Sequence, residues 1–151
     1  VFTSPIEDSG NGWVHFTYPS MVFGQEIHGL RLKVKDGEII EWTADAGQSA
    51  IEQCLAVEGA TRFGEIAIGT NSNIQEATLN TLFDEKISGS IHMAIGASYP
   101  ETGGCNQSAI HHDFITDMRD GVIILDDREI YKNGEFTPAF LAETHANQTS
   151  K

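Results

Sequence analysis

The chain has 151 residues, of which 22 are acidic and 9 basic, and its net charge at pH 7 is -13. This length fits one domain of ordinary size, and the negative charge argues against nucleic acids and anionic membranes as partners, because phosphate groups are repelled by a surface of the same sign. No apolar run approaches the roughly 20 residues of a membrane helix, and the two cysteines form no CxxC pair, which argues against a zinc ribbon or disulfide scaffold and favours the reduced cytoplasm.

The first third of the chain predicts strands joined by tight turns. Residues 13–18 combine aromatic and β-branched side chains and stop at a proline, which is typical of a strand. Residues 30–35 alternate apolar and basic side chains, as in a strand with one buried face. The dipeptide Asp36-Gly37 separates this run from Glu38–Thr43, and Asp-Gly between two alternating runs is a strong hairpin signal.

Two helices are predicted between the strands. Apolar residues within 45–58 follow helical spacing, and Asp45 is placed to cap the start of this helix. Ser72 and Gln75 match a capping box for a second helix, which continues to Phe83.

The rest of the chain again predicts strands, at 64–69, 91–96 and 110–117. The apolar run 122–125 is interpreted as buried, and Asn133-Gly134 predicts a second tight hairpin. Residues 139–151 are interpreted as a loose polar tail. We therefore expect an α+β fold with a mainly antiparallel or mixed sheet, several hairpins and two interspersed helices, in a domain of residues 1–138.

Polar residues on three of these strands are expected to share one face. Alternation places Glu65 beside Ala67, His92 beside Ala94, and His111 on the same side as Asp113. Small neighbours leave space above such a face, whereas a packed core would fill it. Carboxylate and imidazole groups gathered in this way are suited to divalent metals.

Each of these residues also has an ordinary structural interpretation. A glutamate that begins a strand is usually solvated, and a histidine in an apolar strand is often a hydrogen-bonded core residue. The pattern alone therefore leaves open both a metal or catalytic site and a small acidic domain with structural histidines. Asp84-Glu85 is interpreted as a solvated acidic end of the second helix, and Cys105 as a bystander thiol.

Longer stretches of the sequence resemble a known family. These are VFTSP, NGWVHFTYP, TLFDEK, IHMAIGASYPETGG, NQSAIHHDFITDMRDG and YKNGEF. Together they resemble the aminopeptidase T / aminopeptidase S family of thermophilic-type metallopeptidases, from Val1 to about Phe136.

The resemblance implies a metal-dependent aminopeptidase that acts on peptides with two divalent ions, which are zinc, cobalt or manganese. It implies Glu65, His92, His111 and Asp113 as metal ligands, with Glu65 bridging the ions, and a water activated by the metals as the nucleophile. Tyr99 is expected to donate a hydrogen bond to the oxyanion, or alternatively to contact the metal weakly or through its ligands.

The resemblance also implies that this chain is a C-terminal fragment. The family has a further ligand, a glutamate immediately before the segment that matches Val1, and a large N-terminal domain. We therefore expect the catalytic C-terminal part of a cytoplasmic, homodimeric enzyme that lacks at least one ligand. The alternative is a non-catalytic remnant that binds metal or mediates oligomerisation.

Overall fold

The computed structural model describes residues 1–74 and 78–148, without the side chains of 81, 82 and 145–148. Within this part, the helices are α1 (Gln48–Leu55), α2 (Thr81–Asp84) and α3 (Pro138–Gln148). The strands, in chain order, are β1 (Phe2–Thr3), β2 (Gly12–Phe16), β3 (Ser20–Val22), β4 (Gln25–Ile27), β5 (Leu30–Lys35), β6 (Glu38–Thr43), β7 (Phe63–Ile68), β8 (Ser90–Gly96), β9 (His111–Asp117), β10 (Val122–Leu125), β11 (Arg128–Lys132) and β12 (Glu135–Phe136). None of the described helices has the length and apolar character needed to span a membrane.

The strands pair throughout in antiparallel fashion. A four-stranded sheet has the order β1-β7-β8-β9, two three-stranded sheets have the orders β2-β5-β6 and β10-β11-β12, and β3 pairs with β4. The predicted α+β fold class is confirmed, and both predicted tight hairpins form, at Asp36-Gly37 and at Asn133-Gly134. In each hairpin both turn residues have positive φ, as a type I′ turn requires.

The hydrophobic core lies on one side of the four-stranded sheet. Ile95 and Phe114 point from β8 and β9 into a cluster that also contains Phe16, Leu32 and Ile51. The rings of Phe16 and Phe114 are 5.5 Å apart, so the sheet packs directly against β2. Because side chains alternate along a strand, the opposite face of β8 and β9 is turned away from this core.

Both predicted helices differ from their expected bounds. Helix α1 is shorter than the predicted 45–58, and the residue before its first turn is Gly47, with no side-chain cap. Asp45 accepts a hydrogen bond from Arg31 at 2.8 Å instead, so its predicted capping role is wrong. The second helix is the single turn α2, and Gln75 of the proposed capping box lies outside the described residues.

Two further expectations are wrong near the C-terminus. The run at 122–125 forms β10, but it is exposed rather than buried, and Ile124 retains 66% of its accessible surface. The segment interpreted as a loose tail from residue 139 is helical in α3 up to Gln148, while 149–151 lie outside the described part. The domain boundary at residue 138 stays a prediction.

Candidate metal centre

The register of the four-stranded sheet collects the predicted ligands on one face. Ala94 of β8 lies opposite Glu65 of β7 on one side and Asp113 of β9 on the other. In the neighbouring rows, His92 pairs with Ala67, and Gly96 of β8 pairs with His111. Residues that pair directly share a face, so small residues separate the ligands laterally. This is the arrangement predicted from the sequence.

Both histidines are oriented by backbone carbonyl groups. His92 Nδ1 donates to the Glu85 carbonyl oxygen at 2.9 Å, and His111 Nδ1 donates to the Ala97 carbonyl oxygen at 2.7 Å. A carbonyl can only accept, so Nδ1 must carry the hydrogen in each ring. Nε2 is thereby turned toward the cluster, which is the usual arrangement of a metal-binding histidine with its second nitrogen held by an acceptor.

The Glu65 carboxylate lies between the two imidazole rings. Its Oε1 is 3.3 Å from His92 Nε2, and its Oε2 is 3.2 Å from His111 Nε2. If the rings are neutral with hydrogen on Nδ1, each Nε2 presents a lone pair to a carboxylate oxygen, and two acceptors repel each other. The geometry therefore requires a proton or a metal ion between each ring and the carboxylate.

Asp113 completes the centre of the cluster. Its Oδ1 lies 3.9 Å from His92 Nε2 and 3.7 Å from His111 Nε2, and this buried atom has no hydrogen-bond partner in the described part of the chain. Burial raises the pKa of Asp113 to about 6, although the neighbouring histidines act in the opposite direction. An unpartnered buried carboxylate oxygen costs free energy unless an ion or water satisfies it.

Glu85 is a member of the cluster that sequence reasoning missed. It follows α2, and its carboxylate lies within 4.8 Å of the ligand atoms of His92 and Asp113. The sequence held one signal for it, because a pair of acidic residues is unfavourable at the end of a helix. The two acidic residues have different surroundings. Asp84 is buried and accepts two hydrogen bonds from Thr78, whereas the Glu85 carboxylate lies in the cluster.

Two overlapping groups of side chains could each hold a metal ion. Two groups of three residues, each with ligand atoms within 4.8 Å of one another, are Glu65, His111 and Asp113, and Glu85, His92 and Asp113. Asp113 belongs to both groups, and Glu65 offers one oxygen to each histidine. Imidazole nitrogens and carboxylate oxygens are typical ligands of zinc, cobalt and manganese.

Tyr99 stands at the rim of the cavity above this cluster. Its ring lies 5.0 Å from the His111 ring, and both residues line a cavity of about 500 Å³ together with Glu65, His92 and Asp113. Burial, followed by the charge of Glu65, raises the pKa of Tyr99. The phenol therefore keeps its proton at neutral pH and can act as a hydrogen-bond donor in the cavity.

Two neighbouring candidates do not join the site. His112 points to the opposite face, as predicted, where its Nε2 lies 2.9 Å from Ser20 Oγ, and burial lowers its pKa to about 4. Cys105 is exposed, and a hydrogen bond with Glu7 raises its pKa. A raised pKa disfavours the thiolate that a nucleophilic cysteine needs, so Cys105 remains a bystander.

Comparison with known proteins places these residues in a family. The sequence model of the family described as thermophilic metalloprotease (M29) matches residues 1–136. The chain is 33% identical over 159 residues to aminopeptidase 2 of Geobacillus stearothermophilus, covering 93% of this chain and 37% of that protein. It is 35% identical over 134 residues to aminopeptidase PepS of Streptococcus thermophilus, covering 76% of this chain and 32% of that protein. The chain thus spans about a third of the length of these relatives.

Two solved structures share the fold. Wild-type AmpT from Thermus thermophilus superposes with a TM-score of 0.74 at 24% identity, over 90% of this chain and 38% of that one. A 2,5-dihydroxypyridine dioxygenase from Pseudomonas putida KT2440 superposes with a TM-score of 0.69 at 19% identity, over 91% and 43% of the two chains. The matches in sequence, which extend over both the sheet and the cluster, show that this chain belongs to the thermophilic metalloprotease (M29) family.

Proposed function

We propose that this chain carries the metal centre of an aminopeptidase, which releases N-terminal residues from peptides. The observation that carries the proposal is the pair of histidines whose Nε2 atoms face the two oxygens of Glu65. The names of the relatives agree with it, since two of them are aminopeptidases.

The proposed ligands are the four residues expected from the sequence, with Glu85 added. Glu65, His111 and Asp113 would hold one ion, and Glu85, His92 and Asp113 the other. When bound, zinc, cobalt or manganese ions supply a water of lowered pKa and polarise the peptide carbonyl. Because its two oxygens face the two rings, Glu65 would also be able to contribute to both ion positions, which supports the bridging role expected for it.

The protein side chains around the ions would select and orient the substrate. Glu65, Glu85 and Asp113 line the cavity, and bound divalent ions would offset their negative charge. The Tyr99 phenol, which stays protonated, is placed at the rim to donate a hydrogen bond to the oxyanion that forms at the scissile carbonyl. Such a donor contributes about 3 kcal/mol to catalysis in other sites.

An assay with two related substrates tests this function. Leucine 4-nitroanilide should be cleaved by the zinc- or cobalt-loaded chain, and N-acetyl-leucine 4-nitroanilide should not, because it lacks the free amine. A chelator should abolish cleavage, and the metal should restore it. Equal cleavage of both anilides, or cleavage that survives the chelator, would contradict an aminopeptidase mechanism.

The alternative is a non-catalytic module that binds metal or mediates oligomerisation. The observation that favours it is the length of the match, since the chain corresponds to only 37% of aminopeptidase 2. This alternative predicts that the chain binds divalent metal and cleaves neither anilide. Restoration of cleavage by a longer version of the same protein would distinguish a fragment from an inactive homologue.

We further propose that the protein acts as a homodimer in the cytoplasm. An exposed apolar strand, β10, supports an interface between subunits. Both cysteines are free, and one of them is exposed, which agrees with a reducing compartment. Sedimentation of the purified chain and fractionation of the source cells test the two parts of this proposal separately.

A further inference from the structure

We propose that Phe2 and Tyr99 form the wall of a subsite that receives a large apolar side chain from the N-terminal residue of the substrate. This inference rests on the proposed aminopeptidase function and adds a specificity-determining residue, Phe2, to it. It names the preferred substrates as peptides that begin with a large apolar residue rather than with alanine or glycine.

The pairing of the first strand brings Phe2 to the metal face of the sheet. Phe2 in β1 pairs with Ala67 in β7, and Ala67 pairs with His92 in β8. Residues that pair directly project to the same side of a sheet. The Phe2 ring therefore stands in the same row as His92, separated from it by the single methyl group of Ala67.

An aromatic row then connects Phe2 to the cluster. The Phe2 and Tyr99 rings meet edge to face with centroids 6.0 Å apart, and the Tyr99 ring lies 5.0 Å from the His111 ring. The N-terminal segment is also held just after β1, because the Ser4 and Thr102 hydroxyl groups lie 2.6 Å apart. This connection holds β1 against the turn that carries Tyr99, so the wall is formed before any ligand binds.

The two aromatic side chains remain accessible despite these contacts. Phe2 is 56% exposed and Tyr99 is 41% exposed, and both line the cavity of about 500 Å³. Ala67, which pairs with Phe2, is small and lines the cavity, which leaves room for a side chain beside the wall. When an apolar group covers exposed aromatic surface at a concave site, the burial contributes favourable free energy of binding.

The chemistry of an aminopeptidase restricts where the first side chain can lie. The amine, the scissile carbonyl and the side chain are attached to the same carbon, so the side chain must lie directly beside the metal cluster. The cavity lining includes the aromatic Phe2 and Tyr99 and the polar Thr70, Asn71 and Lys86. The aromatic residues suit an apolar side chain, and the polar residues suit the following peptide groups.

Binding of two amino-acid hydroxamates measures the subsite without requiring turnover. The probes are L-phenylalanine hydroxamate and L-alanine hydroxamate, titrated into the full zinc-loaded chain by calorimetry. They share the group that binds metal and differ only in the side chain. Burial of the larger side chain should make the phenylalanine compound bind about 30-fold more tightly.

Substitution of Phe2 should reduce this preference selectively. In Phe2→Ala the ratio of the two affinities should fall to about 5-fold or less, whereas Phe2→Leu should keep an intermediate ratio. The matched control is Phe23→Ala, because Phe23 is also an exposed phenylalanine, at 60%, and does not line the cavity. This control should preserve the wild-type ratio.

The possible results separate this inference from the function on which it rests. Equal affinity of both hydroxamates for the wild-type chain, or a preference that survives in Phe2→Ala, would overturn the subsite while leaving the metal centre intact. Binding of neither hydroxamate to the zinc-loaded chain would overturn the proposed metal-dependent function, and the subsite with it. A fall of the ratio in Phe2→Ala, with the wild-type ratio preserved in Phe23→Ala, would establish the inference.

Discussion

The carboxyl group of Asp113 opposes folding when no cation accompanies it. Burial raises its pKa from 3.8 to about 6, so the folded chain holds this proton more tightly than the unfolded chain does. The cost of ionisation is therefore absent below about pH 4, grows as the pH rises to about 6 and is complete above it. A shift of this size corresponds to about 3 kcal/mol.

Replacement of Asp113 by asparagine should therefore stabilise the metal-free protein. At about pH 7.5 we expect Asp113→Asn to raise the free energy of unfolding by up to about 3 kcal/mol, and at about pH 3.5 to change it little. Urea unfolding in the presence of a chelator measures both values. The same substitution should greatly weaken zinc binding, because a ligand common to both groups is removed.

Asp117→Asn is the matched control, since Asp117 lies on the same strand. A hydrogen bond from Arg119 lowers the pKa of Asp117, so its charge favours folding above the pKa of the unfolded chain and this contribution is lost in acid. Asp117→Asn should therefore be neutral or destabilising at about pH 7.5. A metal-free Asp113→Asn protein that is less stable than wild type at this pH would refute the interpretation of Asp113.

At the residue scale, the sequence predicted the position of those cluster residues that lie on regular strands. Alternation alone puts Glu65, His92, His111 and Asp113 on one face, and the structure brings them together. Glu85 was not predicted because it follows a helix of one turn, which is too short for periodicity to indicate where the side chain points. Its place depends on a contact with the following strand, in which His92 of β8 donates a hydrogen bond to its carbonyl group.

At the scale of single elements, the hairpin between β5 and β6 also supports the N-terminal segment. Gly37 has φ +76°, its amide donates to the Gly10 carbonyl oxygen at 2.8 Å, and a Cβ at this position would lie 1.7 Å from the Glu7 carbonyl oxygen. Gly24, in the turn between β3 and β4, also has φ +76°, but a Cβ there would meet nothing within 4 Å. The two glycines thus share a backbone conformation and differ only in their surroundings.

Alanine substitution at the two positions should distinguish the cost of a positive φ from the cost of a steric clash with the Glu7 carbonyl group. Gly24→Ala should cost about 1 kcal/mol because of its positive φ. Gly37→Ala should cost at least about 1–2 kcal/mol more, because the backbone of the N-terminal segment must move away. Thermal or urea unfolding measures the difference, and equal costs would show that Glu7 and Gly37 are not in close contact.

The accuracy of the element predictions follows the range of the interactions involved. Asp36-Gly37 and Asn133-Gly134 determine their turns locally, because only a few residues readily adopt positive φ at both positions. Asp45 does not cap the helix because its carboxylate instead accepts a hydrogen bond from Arg31, which lies on β5. The exposure of β10 could not be predicted, because an apolar run indicates a strand but does not show whether another element packs against it.

At the scale of the whole molecule, β10 belongs to a large apolar groove. The groove has a volume of about 710 Å³ and is lined by residues of β1, β7, β10 and α3, including Ile66, Ile123, Leu125 and Phe140. Exposed apolar surface of this kind is typical of an interface. The part of the groove formed by β10 and α3 is the surface on which the proposed homodimer would be formed.

A charge within this groove should weaken the dimer. We expect Leu125→Lys to shift the sedimentation of the chain from dimer toward monomer, because an unpaired ammonium group would be buried at the interface. Ile40→Lys is the control, since Ile40 is also an exposed apolar residue on a strand but does not line the groove. A dimer that is unaffected by Leu125→Lys would exclude the groove as the interface.

The presence of two metal ions in the cluster is tested most directly by counting them. Equilibrium dialysis against zinc, followed by elemental analysis, should give two bound ions per chain, and the double variant His92→Ala/His111→Ala should lose both. The matched control His15→Ala/His28→Ala removes two histidines outside the cluster and should keep both ions. One ion per wild-type chain would contradict the paired arrangement, and no ion at saturating zinc would contradict the metal centre itself.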